Sequence, residues 1–235
     1  MKNAQIKSGV WPTMITPFTD AGEIDYGMVE KLIEWYIKRG VAGIFAVCQS
    51  SEMFFLNDEE KVELAKFIVD HVKGRVGVVA SGHTADDFDQ QLRMVHAMAE
   101  TGADNIVLLP NRFAAAEEGD DVLMKHLEAF LAKVDPSISF GFYECPAPYK
   151  RVLTPEIMSF LADTGRFTFM KDTCCDAEQV KAKIKAGRGQ IKVFNANCSQ
   201  LLITLKEGAS GFSGVMANFH PEIYAKLYKI YKDDP

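Results

Sequence analysis

Three features are absent from this sequence, and each absence excludes a class of protein. No stretch approaches the roughly 18 uninterrupted apolar residues that suggest a membrane-spanning helix. Residues 1–7 are polar and lack the apolar centre of a secretion signal. Positive charge is not in excess, because 32 acidic residues against 26 Lys and Arg give a formal net charge of −6. We therefore expect neither a membrane nor a nucleic acid as a partner, since general nucleic-acid binders usually present a basic surface.

Cysteine is scarce, and its spacing indicates neither a disulfide framework nor a zinc site. The five cysteines are odd in number, form no Cys-x-x-Cys pair and include two adjacent residues, which do not suit an ordinary structural disulfide. The five histidines form no His-x-His pair. We expect reduced thiols in a cytoplasmic protein that uses no metal and no cofactor. The cysteines are Cys48, Cys145, Cys174, Cys175 and Cys198.

The sequence does contain a regular alternation of short apolar runs and segments with helical periodicity. Apolar residues make up 48% and charged residues 25%, which suits a folded globular chain. The near-continuous apolar runs are typical of strands that are covered on both faces. They predict strands over 9–18, 43–48, 76–81, 105–110, 139–145, 167–172, 192–197 and 211–218.

Apolar residues three or four positions apart predict helices between these strands. Val29, Ile33 and Ile37 lie on one such stripe. Asn57 followed by Glu60 predicts a helix start with a capping box, and Thr154-Pro155 predicts an N-cap followed by proline at the first helical position. Further helices are predicted over 85–101, 120–133, 176–186, 198–207 and 221–232.

Eight strands separated by eight helices predict parallel pairing and a closed (β/α)8 barrel. The structural alternative is an open doubly wound sheet, but the Gly-x-Gly-x-x-Gly and phosphate-loop motifs that would favour it are absent. No linker or shift in composition interrupts the chain, so we interpret residues 1–235 as one α/β domain. In such a barrel the active site lies at the carboxyl ends of the strands, and the residues that follow each strand are the candidates.

The strand predicted over 167–172 has a lysine near its end. Alternation places Phe167, Phe169 and Lys171 on one face. If that face points into the barrel, desolvation lowers the pKa of the lysine and increases the fraction of free amine, which can attack a carbonyl carbon and form a Schiff base. The alternative is a lysine that extends into solvent or pairs with Asp172.

Two further strand ends hold polar groups that suit the same chemistry. Tyr143 lies near the end of the preceding strand, where a phenol can relay protons beside an amine. Its alternative role is that of a core tyrosine with a satisfied hydroxyl. Gln49, Ser50 and Ser51 follow the second strand and offer hydroxyl and N–H groups to a carboxylate. Serine also serves ordinary turns and caps, so this signal is weaker.

Taken together, these segments resemble the dihydrodipicolinate synthase / N-acetylneuraminate lyase family of class I aldolases. The resemblance implies a (β/α)8 barrel that assembles as a tetramer or dimer. It implies that Lys171 forms an imine with pyruvate or another 2-keto acid and that Tyr143 relays protons. The matching pieces are collinear over essentially the whole chain: Gly9-Val10, Thr16-Pro17-Phe18, Gln49-Ser50-Ser51-Glu52, Tyr143-Glu144-Cys145-Pro146, Phe169-Met170-Lys171-Asp172 and 211–218.

The chain departs from the family pattern at the substrate-facing loops. Gln49 stands where a threonine of the proton relay is usual, while Ser50 keeps a carboxylate-binding hydroxyl. The synthases have tyrosines after the fourth strand, where this chain has Asn111 and Arg112. They also have an arginine after the fifth strand, where this chain has Pro148. The chain ends directly after the eighth helix, where the relatives continue into further helices, so we expect either a fragment or a member that lacks this C-terminal extension.

Beyond Pro148, Lys150 and Arg151 are candidates to replace the arginine of the synthases. Arg112 is the candidate for binding an anionic or polyhydroxyl tail of the substrate. Ser213 in the eighth strand and His83 after the third are secondary candidates for substrate contact, and either residue alone is more often structural.

These departures favour a lyase or dehydratase that acts on a 2-keto-3-deoxy sugar acid. Three alternatives stay open: dihydrodipicolinate synthase or N-acetylneuraminate lyase proper, a non-catalytic sugar-acid binding protein on the same barrel, and a metal-dependent aldolase. The metal hypothesis rests on acidic, histidine and cysteine side chains near strand ends, such as Glu52, His83 and Glu144, although the fold gathers polar residues there in any case.

Overall fold

The structure, a computed structural model, describes residues 6–234, and within them eight strands alternate with eight α-helices. No helix in this part of the chain is long and apolar enough to cross a membrane. The strands are β1 (Gly9–Val10), β2 (Gly43–Ala46), β3 (Gly77–Ala80), β4 (Asn105–Leu108), β5 (Phe140–Tyr143), β6 (Phe167–Asp172), β7 (Lys192–Asn195) and β8 (Gly211–Phe212). The helices are α1 (Tyr26–Lys38), α2 (Asp58–Val72), α3 (Phe88–Glu100), α4 (Asp120–Leu131), α5 (Pro155–Thr164), α6 (Ala177–Ala186), α7 (Leu201–Lys206) and α8 (Pro221–Asp233).

Local sequence signals determine where two of these helices begin. In α2 the Asn57 side chain accepts a hydrogen bond from the Glu60 N–H at 2.9 Å, and the Glu60 carboxylate accepts one from the Asn57 N–H at 2.7 Å. Helix α5 begins at Pro155, and the Thr154 hydroxyl accepts from the Ile157 N–H at 3.3 Å. Both predicted helix starts are confirmed.

The eight strands form one parallel sheet in the order β1-β8-β7-β6-β5-β4-β3-β2. A parallel bridge between Thr13 and Phe45 joins the two ends of this order, and the Met14 N–H donates to the Phe45 carbonyl at 3.0 Å. The sheet is therefore closed, with the helices outside it, and the predicted (β/α)8 barrel is confirmed. Closure brings the carboxyl ends of all eight strands to one rim.

Aromatic rings fill the interior of the barrel. Trp11 is fully buried, and its ring centroid lies 5.7 Å from that of Phe169 and 5.8 Å from that of Phe194. Phe45 packs against Phe169 at 5.9 Å and against Tyr143 at 5.7 Å. These rings give the carboxyl-end rim an apolar floor, in which a charged side chain is poorly solvated.

The first and last strands are shorter than the runs 9–18 and 211–218 predict. Strands β1 and β8 contain two residues each. They approach so closely that a Cβ on Gly211 would lie 1.8 Å from the Gly9 carbonyl oxygen, a contact that requires glycine. Beyond β8 the chain forms a 3-10 turn over Val215–Asn218. The apolar residues of these runs are only partly buried, since Ile15, Phe18, Val215 and Met216 are exposed. Apolar composition alone therefore does not show where these two strands end.

A β-bulge in β6 corrects the predicted face of Phe167. Phe140 pairs with Phe167, but the next residue, Gly141, pairs with Phe169, so β6 contains one extra residue at this point. The Phe167 ring stacks on Phe142 at a centroid distance of 5.3 Å, whereas Phe169 belongs to the interior cluster. The prediction that Phe167 shares a face with Phe169 is wrong, because one inserted residue reverses the alternation.

Candidate active site

Lys171, the penultimate residue of β6, lies inside the rim of the barrel. Its residue surface is only 5% exposed. The Nζ atom lies 3.8 Å from the centroid of the Tyr143 ring and 5.8 Å from that of Phe45. Among the ion pairs formed by residues 6–234, none includes Lys171. The alternative interpretations, a solvent-exposed lysine or a pair with Asp172, therefore do not describe this side chain.

Burial among these rings lowers the pKa of Lys171 from 10.5 to about 8. Desolvation is the largest cause, since it penalises the charged ammonium, and the Cys48 and Cys145 thiols oppose it to a smaller extent. With this pKa about a tenth of the amine is neutral at pH 7, whereas an ordinary lysine is neutral in about one molecule of three thousand. The neutral amine is the nucleophilic form.

Tyr143 ends β5 and pairs in register with Lys171. Its hydroxyl donates to Gln49 Oε1 at 3.2 Å, and the same oxygen accepts from the Cys145 thiol at 3.4 Å. Burial raises the pKa of Tyr143 far above its ordinary value of 10.0, so the phenol stays protonated. The structure thus brings a proton donor beside the amine, with Gln49 fixing the direction of the hydroxyl.

The turn after β2 is a 3-10 turn over Gln49–Ser51. The Ser50 hydroxyl donates to the Thr13 hydroxyl at 3.3 Å. The Ser51 hydroxyl donates to the Met14 carbonyl at 2.5 Å and accepts from the Cys48 N–H at 3.0 Å, so its hydrogen bonds hold the turn together. Sequence reasoning missed Thr13, because the apolar run 9–18 gives no sign that β1 ends at Val10 and so places Thr13 in the middle of a strand.

Strained backbone leads into this turn. Val47 has a φ of 47°, in the left-handed region that a β-branched residue rarely adopts. Glu52, at the other end of the turn, has a φ of 62°. Such conformations cost on the order of 1–3 kcal/mol each and cluster at binding sites, where surrounding structure holds them. Here the left-handed conformations of Val47 and Glu52 set the direction of the chain on either side of the turn at the rim of the barrel.

Arg112 lies at the end of the 3-10 turn Pro110–Arg112 that follows β4. Its side chain is 9% exposed, its guanidinium pairs with Asp86 and lies 5.8 Å from the Phe54 ring centroid. Its Nε is buried without a hydrogen-bond partner among residues 6–234. Arg112 and Gln49 both line a cavity of about 550 Å³, and the hydrogen bond from the Tyr143 hydroxyl to Gln49 links this cavity to Tyr143, which does not itself line it. The other lining residues are Glu52, Phe54, Phe55, Ala147 and Pro148.

Asn111 holds the loop that follows β5. Its side-chain amide donates to the carbonyls of Cys145, Ala147 and Tyr149 at 3.1, 3.0 and 2.6 Å. This loop contains Pro148, which forms part of the cavity wall. Asn111, which replaces a tyrosine of the synthases, therefore shapes the cavity by fixing the loop.

Two basic candidates have other partners in the structure. Lys150 Nζ donates to the Thr173 carbonyl at 2.9 Å. Arg151 forms an ion pair with Asp120 at 3.0 Å and donates to the Ala115 carbonyl at 2.9 Å. Neither residue lines the cavity beside Tyr143. The expectation that Lys150 or Arg151 replaces the arginine of the synthases is therefore not supported, because both side chains bond to neighbouring loops instead.

The two secondary candidates differ in their surroundings. His83 is buried, its Nδ1 accepts from the Leu109 N–H at 3.2 Å, and its Nε2 lies 3.1 Å from Gln91 Oε1. Burial lowers the pKa of His83 to about 3, so the ring is a neutral core group. Ser213 is fully buried just beyond β8, and its hydroxyl lacks a hydrogen-bond partner among residues 6–234. Its hydroxyl is therefore enclosed by protein, and Ser213 does not line the cavity that Gln49 and Arg112 share.

Titratable side chains in the described part of the chain do not gather as metal ligands. Within residues 6–234 no three His, Cys, Asp or Glu side chains are grouped so that they could hold a metal ion. What the geometry does provide is a desolvated amine, a protonated phenol and hydroxyl groups at the rim of a closed barrel. This combination is typical of enzymes that condense a lysine with a carbonyl group.

The sequence model of the dihydrodipicolinate synthetase family matches residues 7–234, and the chain belongs to that family. It is 27% identical to the provisionally named 2-dehydro-3-deoxy-D-gluconate aldolase YagE of Escherichia coli K12, over 99% of this chain and 77% of the relative. It is 29% identical to a 4-hydroxy-tetrahydrodipicolinate synthase of Clostridium perfringens, over 89% of this chain and 70% of the relative.

A solved structure extends the likeness to three dimensions. The crystal structure of E. coli YagE in complex with pyruvate superposes with a TM-score of 0.85 at 26% identity, over 96% of this chain and 76% of that one. The resemblance deduced from the sequence is confirmed, and the chain is a lyase of the class I aldolase type.

Proposed function

We propose that this protein cleaves or dehydrates a 2-keto-3-deoxy sugar acid through an imine between Lys171 and the keto carbon. The observation that supports this most directly is the position of the Lys171 amine, 3.8 Å from the ring centroid of a protonated Tyr143 and without an ion-pair partner in residues 6–234. The pyruvate-bound relative and the aldolase name of YagE agree with a 2-keto acid substrate.

The first half of the reaction forms the imine. The neutral Lys171 amine adds to the C2 carbonyl and gives a carbinolamine. Tyr143 donates its proton to the departing hydroxyl, which leaves as water, and a protonated imine and a phenolate result. The phenolate is unfavourable in a buried site, but the adjacent positive imine offsets much of this cost. The Ser50 hydroxyl and the turn N–H groups bind the substrate carboxylate.

The second half breaks the bond between C3 and C4. The Tyr143 phenolate takes the proton of the C4 hydroxyl, the C3–C4 electron pair moves into the imine, and an aldehyde and a neutral enamine result. Tyr143 then protonates C3, and water adds to the imine carbon, so that pyruvate leaves and the free amine returns. Each proton that Tyr143 gives is thus recovered, and no external oxidant or reductant is needed.

The cavity beside Tyr143 is the proposed site for the remainder of the substrate. Its volume of about 550 Å³ leaves room for several atoms beyond pyruvate. Arg112 lines this cavity, and a guanidinium suits an anionic or polyhydroxyl tail. We therefore favour a sugar acid with a polar tail over pyruvate alone.

Borohydride trapping tests the imine. The protein is incubated with pyruvate, reduced with sodium borohydride and digested, and the peptide containing Lys171 is analysed by mass spectrometry. We expect the reduced pyruvyl group on Lys171, and no adduct in Lys171→Ala. A matched control is Lys192→Met, because Lys192 begins β7 at the opposite end of the barrel and bonds Ser8 at 2.9 Å. This variant should form the adduct normally.

The substrate is then identified by screening 2-keto-3-deoxy acids. The assay measures the release of pyruvate and the formation of dehydration products. Turnover of such an acid supports the proposal. A wild-type protein that binds these acids but forms no adduct would instead favour the non-catalytic sugar-acid binding protein. Turnover only with the substrates of dihydrodipicolinate synthase or N-acetylneuraminate lyase would favour those activities.

We also propose a cytoplasmic homo-oligomer, a dimer or tetramer. The family resemblance supports the assembly, and the five free cysteines support a reducing compartment. Analytical ultracentrifugation of the purified protein tests the assembly, since a monomer at micromolar concentration would contradict it.

A further inference from the structure

A fully buried group of charges lies directly behind the two proposed catalytic residues. Lys183 Nζ, on α6, lies 2.5 Å from Glu144 Oε1 and 2.6 Å from Asp172 Oδ2, and we refer to these three residues as the ion triad. All three side chains are at most 1% exposed. Glu144 follows Tyr143 in the chain, and Asp172 follows Lys171. Because successive side chains of an extended chain point to opposite sides, the ion triad lies outside the barrel wall against α6.

Backbone groups use the remaining acceptor positions of the two carboxylates. Glu144 Oε1 accepts from the Leu153 N–H at 2.9 Å, and Oε2 accepts from the Thr173 N–H at 2.7 Å. The Thr173 hydroxyl donates to the Glu144 carbonyl at 2.7 Å. Asp172 Oδ1 accepts from the Cys174 N–H at 3.0 Å. These bonds tie the end of β5 to the end of β6.

Stability alone does not explain why three charges are kept here. Taking charges out of water is costly, and a buried ion pair is often replaced by apolar residues without loss of stability. A fixed polar network does specify one geometry of the backbone around it. The backbone specified here is the pair of strand ends from which the phenol and the amine project.

We propose that the ion triad is a positioning device, which holds the Tyr143 phenol and the Lys171 amine at the separation that imine formation requires. The proposal rests on the proposed function. In the structure that separation is 3.8 Å from Nζ to the ring centroid. A misplacement of about 1 Å in such a site can cost about a hundredfold in rate.

The chemistry of the network makes it sensitive to single substitutions. Removing Lys183 leaves two buried carboxyl groups with no cation between them, so one of them takes up a proton and the hydrogen bonds that join the two strand ends rearrange. All three groups that contact the Glu144 carboxylate are donors, so Glu144→Gln would place an amide N–H₂ against another donor. Neither change alters a group that touches the substrate.

The test compares the rate constant for pyruvate adduct formation in the wild type, in Lys183→Met and in a control, Lys61→Met. Lys61 is a second buried lysine, on α2, whose Nζ bonds Asp58 at 3.0 Å and Thr84 at 2.9 Å. Rates are expressed per folded molecule, with the folded fraction taken from circular dichroism well below each unfolding midpoint. This correction removes any effect that acts only through stability.

We expect Lys183→Met to form the adduct at least about tenfold more slowly per folded molecule. Its kcat should fall with little change in KM, because the substrate contacts are intact. Lys61→Met should keep the wild-type rate constant even though it loses stability. If Lys183→Met does not fold, Asp172→Asn keeps the side-chain shape, removes one charge of the ion triad and replaces one acceptor oxygen with a donor, and it should still slow the adduct.

The possible failures are distinguishable. If Lys183→Met forms the adduct at the wild-type rate per folded molecule, the positioning role is overturned and the proposed function stays intact. Where Lys183→Met does not fold, a wild-type rate in Asp172→Asn has the same meaning. A wild type that forms no adduct overturns both, because the ion triad is assigned a role only in that reaction. Equal slowing in Lys61→Met also overturns the positioning role, since the loss then follows from replacing any buried lysine.

Discussion

Imine formation should depend on pH in a way that the buried Lys171 amine determines. With a pKa of about 8, the neutral fraction is about a tenth at pH 7 and about nine tenths at pH 9. The rate constant should therefore rise about tenfold between these pH values and only about 1.1-fold between pH 9 and 10. A lysine with the ordinary pKa of 10.5 would give a rise of about eightfold over that last interval.

The assay measures the bimolecular rate constant directly. Protein and subsaturating pyruvate are mixed at constant ionic strength between pH 6 and 10, and aliquots are quenched into borohydride at successive times. The reduced adduct on the Lys171 peptide is quantified by mass spectrometry. Circular dichroism at each pH shows that the protein remains folded, and Lys171→Ala gives the background.

Two results would refute the reasoning. A rate constant that continues to rise steeply between pH 9 and 10 would show that Lys171 is solvated and has its ordinary pKa. A rate constant that falls over the same interval would show that a proton needed for dehydration is lost, which contradicts a buried Tyr143 that keeps its proton. A plateau is the expected outcome.

Three further outcomes are expected. Tyr143→Phe should lower turnover at least about a hundredfold, measured as pyruvate release, and a wild-type rate would remove the phenol from the mechanism. Arg112→Met should raise KM for a 2-keto-3-deoxy acid while leaving the rate of pyruvate trapping unchanged, and equal effects on both would contradict a role for Arg112 in binding the tail. Lys171→Met should raise the free energy of unfolding, measured in urea, by about 3 kcal/mol at pH 7. The reason is that the unfolded lysine keeps its proton up to about pH 10.5, whereas the folded one keeps it only to about pH 8. This gain in stability should disappear above pH 10.5.

The barrel could be predicted from the sequence because its signals are local and repeated. Eight apolar runs separated by helical periodicities require parallel pairing, and no long-range information is needed to infer closure at that number of units. The alternation near the carboxyl end of β6 placed Lys171 on the same face as Phe169, but it left open whether that face points into the barrel, which only the closed sheet decides. The bulge that turns Phe167 outward was not predictable, because an inserted residue is visible only when the partner strand is known.

The shape of the site depends on contacts between distant segments, which the sequence does not display. The cavity lined by Arg112 is assembled from the loops after β2, β4 and β5, and Asn111 sets the last of these loops. Ser51 resembles Ser50 as a candidate in the sequence, but the Met14 carbonyl engages its hydroxyl from another strand end. Lys183 resembles an ordinary surface lysine of α6 until the helix is packed against the barrel.

Two lysines show how the strand periodicity selects a chemical role. On the inner side of β6, Lys171 has aromatic rings and thiols around it, so burial lowers its pKa and yields a nucleophile. On the outer side, Lys183 is also buried, yet the attraction of Glu144 and Asp172 outweighs burial and raises its pKa, so it stays an ammonium ion. Adjacent positions 171 and 172 point to opposite sides, so the carboxylate that would hold Lys171 charged is directed to Lys183 instead. Exchanging the order of a lysine and an aspartate at this strand end would therefore abolish the nucleophile while keeping the composition of the site.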